Sequence, residues 1–203
     1  MNPLNRLAEL FSELPGVGPR QSKRLVYFLL TRNQAFLNDL SKMIIEIKGL
    51  IETCAECQRF FQKDKSGSRL CSICRDTHRD ESILMIVSRD VDLENIEKTR
   101  TYVGKYFVLG GAVPILEKNP EERIRSIKLL KLVKEKNGIK EIILALNATP
   151  EGEHTGDVIE RMIQQIAIDR HIKISRLGKG ISTGTELEYS DGETIKNALK
   201  NRA

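Results

Sequence analysis

The four cysteines of this 203-residue chain fall in two pairs, Cys54-Ala-Glu-Cys57 and Cys71-Ser-Ile-Cys74, with thirteen residues between the pairs and no cysteine left over. A Cys-x-x-Cys turn brings two sulfurs to one point, and two such turns supply the sulfur tetrahedron that Zn²⁺ accepts in closed structural sites. One structural Zn²⁺ per chain is therefore expected on Cys54, Cys57, Cys71 and Cys74. Two disulfides are the alternative, but a chain with a sizeable core elsewhere has little use for them. Four thiolates leave no open position for water, so the metal is expected to hold structure rather than to catalyse. His78 follows closely and is read as solvent-exposed, not as a ligand. Residues 54–79 include few large apolar side chains, so something other than their own burial must hold them.

The flanking sequence has two different rhythms. Before the cysteines, Leu4, Leu7, Ala8 and Phe11 recur at helical spacing, and Phe36, Leu37, Leu40, Met43, Ile44, Ile47, Leu50 and Ile51 form an apolar stripe at i, i+3, i+4 and i+7. After them, strand and helix patterns alternate. Strands are expected at 83–87, 106–109, 142–146 and 172–177. Helices are expected from Leu93, around Ile124, Ile127, Leu130 and Val133, and over 156–169. Such alternation implies a mainly parallel sheet covered on both faces. The fold class is thus a mixed α+β and α/β assembly of four modules: a helical part (1–53), a four-cysteine knuckle (54–80), an α/β domain (81–176) and a C-terminal segment with a final helix (177–203). The longest uncharged stretch, 106–116, is too short for a membrane helix and is broken by Gly110, Gly111 and Pro114. Arg6, Glu9 and Glu13 leave no signal-peptide core, and a cytoplasmic location is expected.

The net charge of +5 permits a polyanionic partner without demanding one. Its distribution is more informative. Leu14-Pro15-Gly16-Val17-Gly18-Pro19 precedes a short helix, and two glycines in a tight turn let the backbone approach a ligand while the helix N-terminus points free N–H groups outward. From Leu14 to Asn38 no residue is acidic, whereas Arg20, Lys23, Arg24 and Arg32 are basic. This segment looks like a helix-hairpin-helix, a module that grips the sugar-phosphate backbone without reading bases, with Gly16, Gly18, Arg20, Lys23 and Arg24 as the expected DNA contacts. The basic residues between Arg123 and Lys140, including Arg125 and Lys128, are read as a solvated helix face. Gly178, Gly180 and Gly184 are followed by no Lys-Ser or Lys-Thr pair, so no nucleotide site is expected. His154 and His171 have no nucleophile beside them in sequence.

The hairpin, the paired Cys-x-x-Cys and the α/β segment, in this order, resemble the RecR family of bacterial recombination mediators. Val108-Leu-Gly-Gly-Ala112 is similar to the family's VLGG segment, and the stretch from Arg176 through Gly178, Lys179 and Gly180 to Tyr189 is similar to its C-terminal signature. The resemblance implies a Toprim-like domain near 82–176 and assembly of a dimer or tetramer into a ring-shaped clamp around DNA. It also implies partnership with RecO and RecF in loading RecA onto gapped DNA, and a nucleoid-associated location. Catalytic Toprim domains hold Mg²⁺ between a Glu at the first strand end and an Asp-x-Asp at a later one. This chain has Ser88-Arg89-Asp90 at the first place and Glu151-Gly-Glu153 after the second, with Asp90 and Asp92 as the nearest substitute carboxylates. No catalytic residue is therefore expected, and Glu151 and Glu153 are read as a polar loop that meets a partner protein. The alternative is a metal-dependent nuclease or primase-like enzyme using Glu151 and Glu153. A third possibility is a zinc-stabilised RNA-binding module.

Overall fold

A computed structural model describes residues 2–200, which gather into two units that divide between Ile51 and Glu52. The first is helical: α1 (Pro3–Ser12), α2 (Pro19–Leu30) and α3 (Gln34–Leu50). Each start is encoded locally. Asn2 Oδ1 accepts from Leu4 N at 2.9 Å, Pro19 takes the first turn of α2 behind Gly18, and Asn33 Oδ1 accepts from Phe36 N at 2.9 Å. α1 packs along α2, and Ala8 and Val26 are buried. The stripe on α3 forms a helix as its spacing requires, but no residue of α3 is buried, and Ile44 and Ile47 are 63% and 51% exposed.

The second unit is built on a four-stranded sheet of β3 (Asp80–Val87), β4 (Gly104–Val108), β5 (Glu141–Ala145) and β6 (Lys173–Arg176). The order is β4-β3-β5-β6 and every pair is parallel. A two-stranded ribbon, β1 (Ile51–Thr53) with β2 (Phe60–Gln62), and the one-turn helix α4 (Ser72–Arg75) carry the cysteines. α5 (Asp90–Thr99), α6 (Ser126–Glu135) and α7 (Pro150–Arg170) follow the first three strands of the sheet, and α8 (Gly192–Lys200) ends the described chain.

Alternation along the strands sends successive side chains to opposite faces. Leu84 and Ile86, with Phe107, Ile142 and Leu144, join Leu129 and Val133 of α6 and Ile159 and Ile163 of α7 in one cluster. Met85, Val87, Tyr106, Val108 and Ala145 turn the other way, to Leu93 of α5 and all four cysteines. The knuckle thus shares with α5 the covering of the second face of the sheet. It also meets the edge strand at its end, where Val108 N on β4 donates to Cys57 O at 2.8 Å.

Ile127, placed on the core face of its helix by spacing, is 82% exposed. The helix begins only at Ser126, and at about 100° per residue Ser126, Leu129 and Val133 share its buried face while Ile127 falls to the side of it; Ile124 reaches the core from the preceding turn. The helix expected over 156–169 starts six residues earlier. Thr149 Oγ1 accepts from Gly152 N at 3.2 Å and Pro150 fills the first turn, which places Glu151 and Glu153 on a helix, not in a loop. Gly152 is required here, since a Cβ would come 2.0 Å from Asn147 O.

Candidate metal centre and nucleic-acid interface

The four cysteines are free, buried and side by side, with their sulfurs all within 4.8 Å of one another. Cys57 Sγ lies 3.6 Å from Cys71 Sγ. Thiolates tetrahedrally placed on Zn²⁺ stand about 3.8 Å apart, given bonds of about 2.3 Å, so the set fits that ion in size and chemistry. The turns are pre-shaped by their backbones: Gln58 N donates to Cys54 O at 3.1 Å, Arg75 N to Cys71 O at 3.0 Å, and Cys71 N to Cys54 Sγ at 3.4 Å. Contact with the Cys54 sulfur first, and burial in addition, pushes the Cys57 and Cys74 thiols up, a resistance to ionisation that a divalent cation removes. His78 lies outside the sulfur cluster, 96% exposed beside Asp76.

Four side chains outside the Cys-x-x-Cys pairs fasten these turns. Gln58, left-handed at φ 64° yet 4% exposed, donates Nε2 to Cys54 O and Ala55 O and accepts from Lys128 Nζ at 2.7 Å. Arg125 Nη1 donates to Gln58 O at 2.6 Å and Val108 O at 3.0 Å. Lys105 Nζ donates to Asp76 O at 2.8 Å and Cys74 O at 3.1 Å. Arg125 and Lys128 therefore do not belong to a purely solvated face. Their role lies outside the reach of helical periodicity, and Lys105, second residue of β4, precedes the apolar run 106–109 from which the strand is expected, so spacing offers no sign of it.

In the helical unit, Gly16 adopts φ 78°, a conformation in which a side chain is strained, and no side chain caps the N-terminus of α2 behind Gly18. Arg20, Lys23 and Arg24 fall at i, i+3 and i+4 of α2 and are all exposed, while Ser22 and Val26 face inward. No ion pair ties any of the three to a carboxylate among the described residues. The exposed backbone N–H groups and three cations together make a surface suited to phosphate.

At the carboxyl edge of the sheet the carboxylates are dispersed. Ser88, at the end of β3, is 2% exposed, and its Oγ has no hydrogen-bond partner. Asp90 Oδ1 accepts from Phe60 N of the knuckle at 2.7 Å, and Asp92 Oδ2 accepts from Arg89 N at 2.8 Å at the start of its own helix. Glu153 is paired with Lys179 Nζ at 2.8 Å and Arg176 Nη1 at 3.4 Å. Arg176 also meets Asp157 and Glu160, each at 2.7 Å; Asp157 first and Glu160 next hold its guanidinium above the usual range. The four cysteines form the sole group of three or more potential ligand residues with clustered donor atoms among the described residues.

Family models match three parts of the chain: "RecR, helix-hairpin-helix" over residues 4–48, "Toprim domain" over 82–178 and "RecR, C-terminal" over 180–203. Among curated proteins, the Recombination protein RecR of Staphylococcus saprophyticus is 33% identical over 200 residues, covering 98% of this chain and 96% of that protein. Those of Lacticaseibacillus casei and Lactobacillus acidophilus are 32% identical with the same coverage.

Proposed function

The chain belongs to the RecR family of recombination proteins, and from that premise we propose that it acts without catalysis as a DNA-binding mediator of repair. It holds DNA by its phosphate backbone, encloses it as a homo-oligomeric ring, and works with RecO and RecF to load RecA on gapped DNA, in the cytoplasm. One structural Zn²⁺ on Cys54, Cys57, Cys71 and Cys74 keeps the knuckle folded onto the sheet. The observation that carries the DNA reading is the acid-free start of α2, where Gly16, Gly18, Arg20, Lys23 and Arg24 combine exposed backbone with uncompensated charge. Competition between gapped duplex DNA and duplex RNA of the same sequence tests it: DNA should win, and equal competition would favour an RNA-binding module.

The dispersed carboxylates support the absence of catalysis. Phosphoryl transfer on a divalent metal needs acidic ligands converging from separate strand ends. Ser88 offers a neutral hydroxyl, while Asp90, Asp92 and Glu153 each hold another group already. We expect supercoiled, linear and gapped DNA to stay intact with the protein in Mg²⁺ and in Mn²⁺. Cleavage that disappears in the Glu151→Ala, Glu153→Ala double variant would instead make the protein an enzyme. Glu151, exposed on the first turn of α7, remains a candidate partner contact, with Glu153 beside it.

Self-association has its own support in α3. Phe36, Leu40, Met43, Ile44, Ile47 and Leu50 form a stripe that stays exposed, and a helix with an apolar face has to bury it somewhere. Changing Ile44 and Ile47 together to Glu is expected to at least halve the native mass, and a mass unchanged by the pair would remove α3 from the assembly.

A further inference from the structure

Lys105 is a cation in an unusual place. All five residues of β4 are buried, and Lys105 is itself 6% exposed. Its Nζ faces the end of the second cysteine turn, donating to Asp76 O at 2.8 Å, Cys74 O at 3.1 Å and Ile73 O at 3.4 Å. The carboxylate paired with it, Glu81, is 3.8 Å away and 62% exposed. A buried ammonium is costly unless a charge answers it, and a solvated acid beyond hydrogen-bond distance answers it weakly. Meanwhile four thiolates around one Zn²⁺ leave a double negative charge in the same buried region. Lys105 and Cys74 line one small void together.

We propose that Lys105 is the internal counter-cation of the metal-thiolate centre, a positioning residue that retains the metal by offsetting its charge. The proposal rests on the zinc assignment above. It makes the coupling reciprocal: the metal centre answers the charge of Lys105, and Lys105 answers that of the centre. Loss of the metal then leaves a buried cation inside β4, so the edge of the sheet senses the state of the knuckle. Gln58, Arg125 and Lys128 fasten the first cysteine turn by hydrogen bonds, whereas Lys105 brings a buried charge to the second; Lys136, which lines the same void as Cys74, is more exposed and is already paired with Glu56.

The test separates a counter-charge from a mere tether. Zinc is first counted in the purified wild-type protein: none would defeat the zinc assignment, and this proposal with it. With zinc present, its transfer to a chromophoric chelator is timed for Lys105→Arg, Lys105→Gln and Lys105→Met. Gln keeps a donor without the charge, and Met keeps the stem alone. Release is expected to be about ten- to a hundredfold faster in Lys105→Gln and Lys105→Met, the usual cost of losing a group that supports a metal ligand, and near wild type in Lys105→Arg. In the cobalt-substituted protein, the sulfur-to-metal charge-transfer band should move in both neutral variants and stay in place in Lys105→Arg. A Lys105→Gln protein that releases zinc at the wild-type rate overturns the proposal and leaves Lys105 a tether. Should neither neutral variant fold, Lys105→Arg decides: zinc release and the cobalt band are expected to match wild type, and release at least about tenfold faster in that variant would overturn the proposal, since charge at this place would then not suffice.

Discussion

Cys71→Ser is expected to cost the protein its metal and several kcal/mol of stability, the scale on which structural zinc contributes to folding. Cys71 is fully buried and immediately precedes α4, at its N-cap position. Its sulfur lies beside that of Cys57, and its backbone N–H donates to Cys54 Sγ. A serine there leaves three sulfurs around the ion and a hydroxyl that cannot replace a thiolate at neutral pH. The damage should spread beyond the knuckle, because the cysteines share a cluster with Met85, Val87, Leu93, Tyr106 and Val108. Loosening that cover exposes one face of the sheet to water, at about 25 cal/mol for each Å² of apolar surface uncovered. Metal analysis together with urea unfolding checks the result: zinc near zero, a lower midpoint and faster amide exchange in β3 and β4. Full stability, or one zinc retained, would contradict it.

Lys23→Ala together with Arg24→Ala is expected to weaken DNA binding about equally on every sequence and to reduce the salt slope by about one to two, since each phosphate contact contributes about 0.9. The fold should survive, because both side chains point outward while Ser22 and Val26 face the interior of the helical unit. Surface substitutions of this kind change stability by roughly 0.5 kcal/mol or less. Equilibrium binding at several salt concentrations, with a thermal melt as control, measures both. An unchanged slope would remove the start of α2 from the DNA surface; a loss confined to one sequence would mean base readout.

The four-cysteine cluster and the parallel sheet were legible in the sequence because both are periodic: two Cys-x-x-Cys turns, and strand and helix in alternation. The acid-free start of α2 was legible from composition. What periodicity cannot convey is which surface meets which. Residues 54–79 have few large apolar side chains, and only the fold reveals that the cysteines, with Ile73, Phe61 and Leu70, make up the apolar surface that shares a cluster with Met85 and Val108. Ile127 fits a spacing of three residues, but that spacing drifts around a helix of about 3.6 residues per turn, and the buried face is Ser126, Leu129 and Val133. Thr149-Pro150 is an ordinary helix start that the neighbouring glutamates disguised as a loop. Asp90 and Asp92 look like spare metal ligands in the sequence, and their hydrogen bonds to Phe60 N and Arg89 N come from distant or local backbone that spacing does not reveal.

The proposed zinc-bearing oligomer that closes on DNA can be weighed by native mass spectrometry of the wild-type protein, alone and with gapped DNA, with zinc counted in the same spectra. The expected species is a dimer or tetramer with one zinc for each chain, retained when DNA is added and bound as a single assembly. A strict monomer at micromolar concentration, with and without DNA, would contradict the clamp.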